Sequence, residues 1–435
     1  MWKTKVQKLL ENKAISDFST QQTVSITTTP TNNIFFFSYQ KTQRQRKETV
    51  KMKFTVQKSV FLNKLSPAMG TVSNKNTITS IEGVLIETVD SSTVRITTYD
   101  MNKGVRSYID AIKVEREGKF IINAQRLYQT IRVLPEDEIT IEVNDKLNCT
   151  ISCGKASFSM FAMKGEDFPN LPDISSDLGF TISSEKLRMM IGKVIHSIAE
   201  LDNRPMLCGA FFKIKEGNIE VVSCDSYTLS RCSMKCDINS VNSSDVDFSF
   251  IIPGNSLGEL SKNLAEGDDE DVKFYVSRKH AMVVKGNTLF FTRTIDSDYI
   301  DYERIIPKEN DIFVTVDRER MLDGLERANI VAEEKIKGSG RSYVKISLED
   351  QFLVITSSSI NGNVFDEFDC VHEGKDIEIG FNCRYLINSI KVAEGENIKM
   401  SLKTPNQAIT IEPAEEDDDF KYFYMILPVR MNDQR

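Results

Sequence analysis

Apolar and polar residues alternate in short runs along most of this chain, and three times the alternation gives way to a helical period after the same kind of opening. Phe54-Thr55-Val56 leads into Val60-Phe61-Leu62-Asn63-Lys64-Leu65, Phe180-Thr181-Ile182 into Leu187-Arg188-Met189-Met190-Ile191, and Val314-Thr315-Val316 into Met321-Leu322-Asp323-Gly324-Leu325. A period of two marks a half-buried strand, and a spacing of three to four marks one face of a helix. A second unit of the same kind follows each opening: Phe120-Ile121-Ile122-Asn123-Ala124 before Leu127-Tyr128-Gln129-Thr130-Ile131, Phe250-Ile251-Ile252-Pro253-Gly254 before Leu257-Gly258-Glu259-Leu260, and Ile379-Gly380-Phe381-Asn382 before Tyr385-Leu386-Ile387. The pattern predicts six copies of one half-domain, grouped into three domains.

The remaining runs read as strands. Val94-Arg95-Ile96-Thr97, Ile139 to Val143, Ile219 to Val222, Val272 to Val276 and Ile409 to Ile411 are β-branched and alternating, and turns such as Glu216-Gly217-Asn218 and Lys285-Gly286-Asn287 separate them into hairpins. Antiparallel sheets with two helices per domain are expected, with helices over 58–65, 123–134, 184–199, 254–265, 317–337 and 382–393. The segments Asp167-Phe168-Pro169-Asn170-Leu171-Pro172 and Asp298 to Pro307 each place acids, apolar side chains and proline before the next repeat. Proline stiffens such connectors, so a fixed angle between neighbours is expected.

Residues 1–51 stand outside the repeat. They are rich in Thr, Gln, Asn and Lys, and end in the basic stretch Arg44-Gln45-Arg46-Lys47, which reads as a disordered arm. Two sharper readings are open: the leader is translated upstream sequence and the protein starts at Met52, or the arm is a basic segment that touches DNA.

At 435 residues and 40% hydrophobic content, the chain has material for three cores. No apolar run approaches the roughly 20 residues of a membrane span, and the N-terminus lacks the order of a secretory signal. A cytoplasmic protein is expected, with its eight cysteines as reduced thiols. Cys149 and Cys153, and Cys232 and Cys236, are three residues apart, but His196, His280 and His372 are scattered, so no metal site or cofactor is expected.

The net charge of -8 argues against a nucleic-acid partner only if the charge is evenly spread, and it is not. Helices 58–65, 123–134 and 382–393 carry Lys58 and Lys64, Arg126 and Arg132, and Arg384 and Lys391 without acids, whereas helix 317–337 is net acidic. The acids gather in turns such as Asp268-Asp269-Glu270-Asp271 and Glu415-Glu416-Asp417-Asp418-Asp419. Consecutive carboxylates in a turn diverge and repel, so these read as solvated loops rather than as metal-holding pairs of a nucleic-acid enzyme. No glycine-rich phosphate loop and no nucleophile with an evident base accompanies them, and no catalytic residue is expected.

The ordered motifs resemble the bacterial DNA polymerase III beta subunit, the family of replication sliding clamps. They are Met52-Lys53-Phe54-Thr55-Val56, Asp167-Phe168-Pro169-Asn170-Leu171, Arg204-Pro205-Met206-Leu207-Cys208-Gly209, Cys224-Asp225-Ser226-Tyr227-Thr228-Leu229, Asp301-Tyr302-Glu303-Arg304-Ile305-Ile306-Pro307, Ile379-Gly380-Phe381-Asn382 and Met425-Ile426-Leu427-Pro428-Val429-Arg430. The resemblance implies an α+β fold of three clamp domains (52–173, 174–307 and 308–435), with antiparallel sheets outside and two helices inside each. It implies a head-to-tail homodimer closing a ring around duplex DNA without reading sequence, which makes the replicative polymerase processive and is not an enzyme. A plasmid- or phage-type paralogue serving a dedicated polymerase is the alternative.

Site residues follow from the same resemblance. Facing DNA it implies Lys75, Arg126, Arg132, Lys186 and Lys193. A groove for short linear peptides of polymerases, the clamp loader and repair proteins would be formed by Arg204, Met206, Leu207, Ser226, Tyr227, Leu229, Ile300, Arg304, Ile305, Asn382, Tyr385, Met425, Leu427, Pro428, Val429 and Arg430. Ring closure would bring Lys155, Phe158 and Met160 of one copy to Ile330, Val331, Asp366 and Glu367 of the other. The chain departs from the family at Ser226, Tyr227 and Thr228, where a glycine, a histidine and an arginine are common, so a different peptide preference is expected.

Overall fold

The computed structural model describes residues 49–73, 78–172, 178–235, 247–264, 270–332, 343–359, 362–415, 417 and 419–431. Nearly all of these lie in one compact unit, Val50–Arg435. The readings of the leader and of Lys75 fall outside the described residues, but Val50 and Lys51 already belong to the first strand, Val50–Gln57. That strand shows how alternation becomes a core: Met52, Phe54 and Val56 are wholly buried while Lys53 and Thr55 point outward, because successive side chains leave a strand on opposite faces.

Among the described residues six helices punctuate the strands: α1 (Lys58–Ala68), α2 (Ala124–Val133), α3 (Ser184–Val194), α4 (Gly254–Asn263), α5 (Arg318–Ala332) and α6 (Cys383–Lys391). A helix start leaves backbone donors unpaired, and short polar side chains take them up here. Asn123 accepts from the N–H of Arg126, Ser183 from Lys186, Asp317 from Arg320 and Asn382 from Arg384. The helices pack in pairs, α1 with α2, α3 with α4 and α5 with α6. The longest overrun is at α3, which ends at Val194 rather than 199, because Ile195–Ser197 tightens into a 3-10 turn that tucks His196 against Ser230 and Ser389.

The strands form antiparallel sheets of thirteen, nine and four among the described residues. Two of them cross from one repeat to the next. Thr288–Arg293 pairs with Lys103–Asp110, joining the first and second repeats, and Phe420–Ile426 pairs with Thr228–Lys235, joining the second and third. The cores are divided differently from the sheets. The first repeat buries its own cluster around Phe54, Phe61 and Leu127, whereas one continuous cluster runs from Phe180 and Phe212 in the second repeat to Val314, Phe381 and Tyr424 in the third.

The seven described cysteines are unbridged thiols. Burial pushes the Cys149 thiol up to about 12, so it is inert.

Candidate functional site

The pairing of Thr228–Lys235 with Phe420–Ile426 sets Leu229 opposite Met425. Around that pair gather Leu207, Val222, Cys224 and Tyr302, with half-buried Met206 and Ile300 packed on them. Leu207, Leu229 and Met425 lie beneath the surface, at 1%, 0% and 4% exposure, and form the closed floor of this corner. The apolar surface open to a visitor belongs to Met206, Ile300, Ile305 and Leu427.

The rim is tied down by specific bonds. The N–H of Leu427 donates to the carbonyl of Tyr227 at 2.8 Å, and that of Val429 donates to Gly380 at 2.8 Å, holding Pro428, Val429 and Arg430 against the third repeat. The Tyr227 ring stacks on Tyr385 with centroids 5.9 Å apart. Ser226 has a φ of 78°, a left-handed conformation that suits glycine. Its hydroxyl receives a 2.5 Å bond from the Arg204 guanidinium. Arg204 also pairs with Asp202 at 2.9 Å, and this hydrogen bond brings the Asp202 carboxyl down to about 2. Arg304 pairs with Asp301 at 2.7 Å, and Arg430 is exposed. Asn382 stands beside Tyr385, but its side-chain oxygen caps α6. Cys224, Tyr302 and Phe423 join the corner unforeseen; the Asp301-Tyr302 motif was the available signal for Tyr302.

Of the basic residues assigned to DNA, three point outward. Arg126 and Arg132 share the exposed side of α2 with Gln129, and Lys186 is exposed on the first turn of α3. Lys193 does not belong with them. It is 3% exposed, its ammonium donates to the carbonyl of Val392 at 2.6 Å, pairs with Glu394 at 2.7 Å and lies 4.3 Å over the Tyr422 ring. The last turn of α3 is covered by the third repeat, so this charge faces inward. Arg384, Asn388 and Lys391 share an exposed face of α6, a basic side the helix composition signalled.

Two of the free strand edges among the described residues carry the side chains assigned to ring closure. Ala156–Lys164 pairs with Asn148–Cys153 over its first six residues and with Lys119–Asn123 only from Ala162 onward. The second edge of Ala156 to Phe161 is therefore free, and it carries Phe158 at 40% and Phe161 at 79% exposure beside half-buried Met160 and exposed Lys155. Asn363–Asp369 ends the four-stranded sheet, with Phe365 at 68% and Glu367 exposed. Ile330 projects from α5 at 76% exposure, with Val331 half-buried next to it. Asp366 differs from its assigned role in one respect: its carboxylate is paired with Arg327 of the same chain, at 2.7 Å.

Family models describing the DNA polymerase III beta subunit match this chain in three consecutive pieces: the N-terminal domain over residues 52–172, the central domain over 181–301 and the C-terminal domain over 303–430. The chain belongs to the DNA polymerase III beta subunit family. The Bacillus subtilis beta sliding clamp is 27% identical over 87% of this chain and all of its own length. Among solved structures, the putative DNA polymerase III beta subunit of Eubacterium rectale superposes with a TM-score of 0.80 at 26% identity, covering 87% of this chain and all of the other. The Pseudomonas aeruginosa sliding clamp solved bound to griselimycin gives 0.80 at 25% identity, covering 88% and all of it. As a DNA polymerase III beta subunit, the protein is a DNA sliding clamp and an accessory subunit rather than a catalyst. The enzymatic alternative is set aside.

Proposed function

We propose that two copies of this clamp close head to tail into a ring that encircles duplex DNA and tethers the replicative polymerase, in the cytoplasm of a bacterium. The three domains would run over 52–173, 174–307 and 308–435. The observation that carries the ring is the pair of open strand edges, one in the first domain and one in the third. An unpaired edge with exposed aromatics calls for a partner, and Lys155 beside one edge complements Glu367 on the other. Arg126, Arg132 and Lys186 would meet phosphates without reading bases, which leaves the ring free to slide.

The corner at the second junction would take short apolar peptides of the polymerase, the clamp loader and repair proteins. Its open aliphatic surface and polar rim are the features that capture such peptides. Retention on nicked circular DNA tests the ring: the clamp should run at the mass of a dimer and be lost from the circle on linearisation, and equal binding to both forms would refute topological tethering.

A further inference from the structure

Half-buried Ile300 and exposed Ile305, two of the apolar residues open at the corner, belong to no strand; they lie on the connector between Thr288–Arg293 and Ile312–Asp317. The segment packs on the corner through Tyr299, Ile300, Tyr302 and Ile306, and its other side is open. A cleft of about 740 Å³ opens there, lined by Ser249, Ile251, Arg278, Asp296, Tyr299 and Glu303 among others. The connector is held at points. The N–H of Ile295 donates to Ile251 at 2.9 Å, the Tyr299 ring stacks on Phe211 at 4.9 Å, and the Tyr302 hydroxyl donates to the carboxylate of Glu220.

The third point is built from four elements. Glu220 also accepts from Nε of Arg231 at 2.5 Å. The Arg231 guanidinium lies 6.0 Å from the centre of the Tyr302 ring and 5.9 Å from that of Phe423, which comes from the third domain. Tyr302 itself is 5% exposed, and burial together with the Glu220 bond raises its pKa, so the hydroxyl keeps its proton.

The first junction repeats the corner without this device. Phe168 follows Asp167 there as Tyr302 follows Asp301. In strand register, Arg95 opposite Glu87 stands where Glu220 stands opposite Lys213, and Arg106 opposite Thr97 stands where Arg231 stands opposite Val222. The carboxylate takes that register position at the junction whose ring carries a hydroxyl to donate; at the first junction the carboxylate is Glu87, one strand over, and it is paired with Arg95 and Lys119.

We propose that Tyr302, with Glu220 and Arg231, is the positioning device of the peptide corner, fixing the connector so that Ile300 and Ile305 stand preformed for a peptide. This rests on the reading of that corner as a peptide site. Preformed contacts lower the cost of ordering at binding, and their loss shows mainly as faster release. Hydrogen bonds to charged groups are among the strong ones.

The test uses the full-length protein and a fluorescein-labelled leucine-rich short peptide, chosen to match the aliphatic surface. Tyr302→Phe and Glu220→Gln should each weaken binding about tenfold, and the double variant no more than either alone, as groups acting as one unit behave. Amide exchange should rise across 299–306 and not elsewhere, retention on nicked circles should stay unchanged, and Phe168→Tyr at the first junction should leave peptide binding as it was. Undiminished affinity and protection in Tyr302→Phe would overturn the proposal, with Glu220→Gln deciding if that variant fails to fold. Failure of the wild type to bind the probe would overturn the peptide reading instead, while exchange across 299–306 would still report on the anchor.

Discussion

The two junctions of this clamp are made the same way and filled differently. Each continues an antiparallel sheet across the boundary, and each folds an acid-aromatic connector over the pairing. At the first, Leu85, Tyr99, Ile121, Phe168 and Phe291 close the corner. The Phe291 ring packs tilted against Tyr99 with centroids 5.4 Å apart and lies so close over Gly104 that a Cβ there would stand 2.2 Å from it. At the second, Met206, Cys224, Leu229 and Met425 occupy the corner, and apolar surface remains outside. Both floors are closed, the second by Leu207, Leu229, Tyr302 and Met425, but only there do Met206, Ile300, Ile305 and Leu427 leave apolar surface that can adapt to a guest.

Emptying each corner is the strongest way to break this comparison. Phe291→Ala should cost about 3–5 kcal/mol and Met425→Ala about 2–5 kcal/mol in urea unfolding, as buried large-to-small changes do. Only the second should also abolish capture of a short apolar peptide. Loss of peptide binding in Phe291→Ala with retention in Met425→Ala would reverse the assignment of joint and receptor.

The second junction also buries a histidine. His196 lies between the second and third domains, edge-on to Tyr424, and burial lowers its pKa to about 4. The unfolded chain therefore binds a proton that the folded chain refuses between that value and the ordinary 6.5. The contribution is fully present above 6.5 and is lost as pH falls toward 4, worth about 3 kcal/mol for one proton at that shift. Unfolding free energy measured across that window should steepen accordingly, and His196→Phe should flatten the profile; an unchanged slope would remove His196 as its source.

Much of this arrangement was legible in the sequence, for physical reasons that also mark where legibility ends. The repeat could be read because the periods of two and three to four are local signals. Lys193 could not be placed. It lies two turns from Lys186 on α3 and so shares its face, but Val392 and Glu394, some two hundred residues away, cover only the last turn. Phe161 and Phe365 were missed for a related reason: alternation treats a phenylalanine as core, and only the sheet order shows that their strands end in open edges.

Charge on the helices offers a gentler probe. Each of Arg126→Ala and Arg132→Ala should lower the salt slope of binding to linear duplex by about one, one counterion per phosphate contact, and leave peptide capture intact. An unchanged slope in both would move the phosphate path off α2.

Lys193→Met should have the smallest effect and separates joint from DNA face most sharply. Its ammonium sits out of water, and burial lowers its pKa; that desolvation offsets what the bonds to Val392 and Glu394 contribute. The Glu394 side chain is 59% exposed, so it stays hydrated once its partner is gone, and methionine keeps the apolar stem packed on Tyr422. Stability should change by no more than about 1 kcal/mol, with the salt slope on linear duplex unaltered. A fall in that slope equal to that of Arg126→Ala would return Lys193 to the DNA-facing set, and a loss of about 3 kcal/mol or more would make it a lock of the second junction.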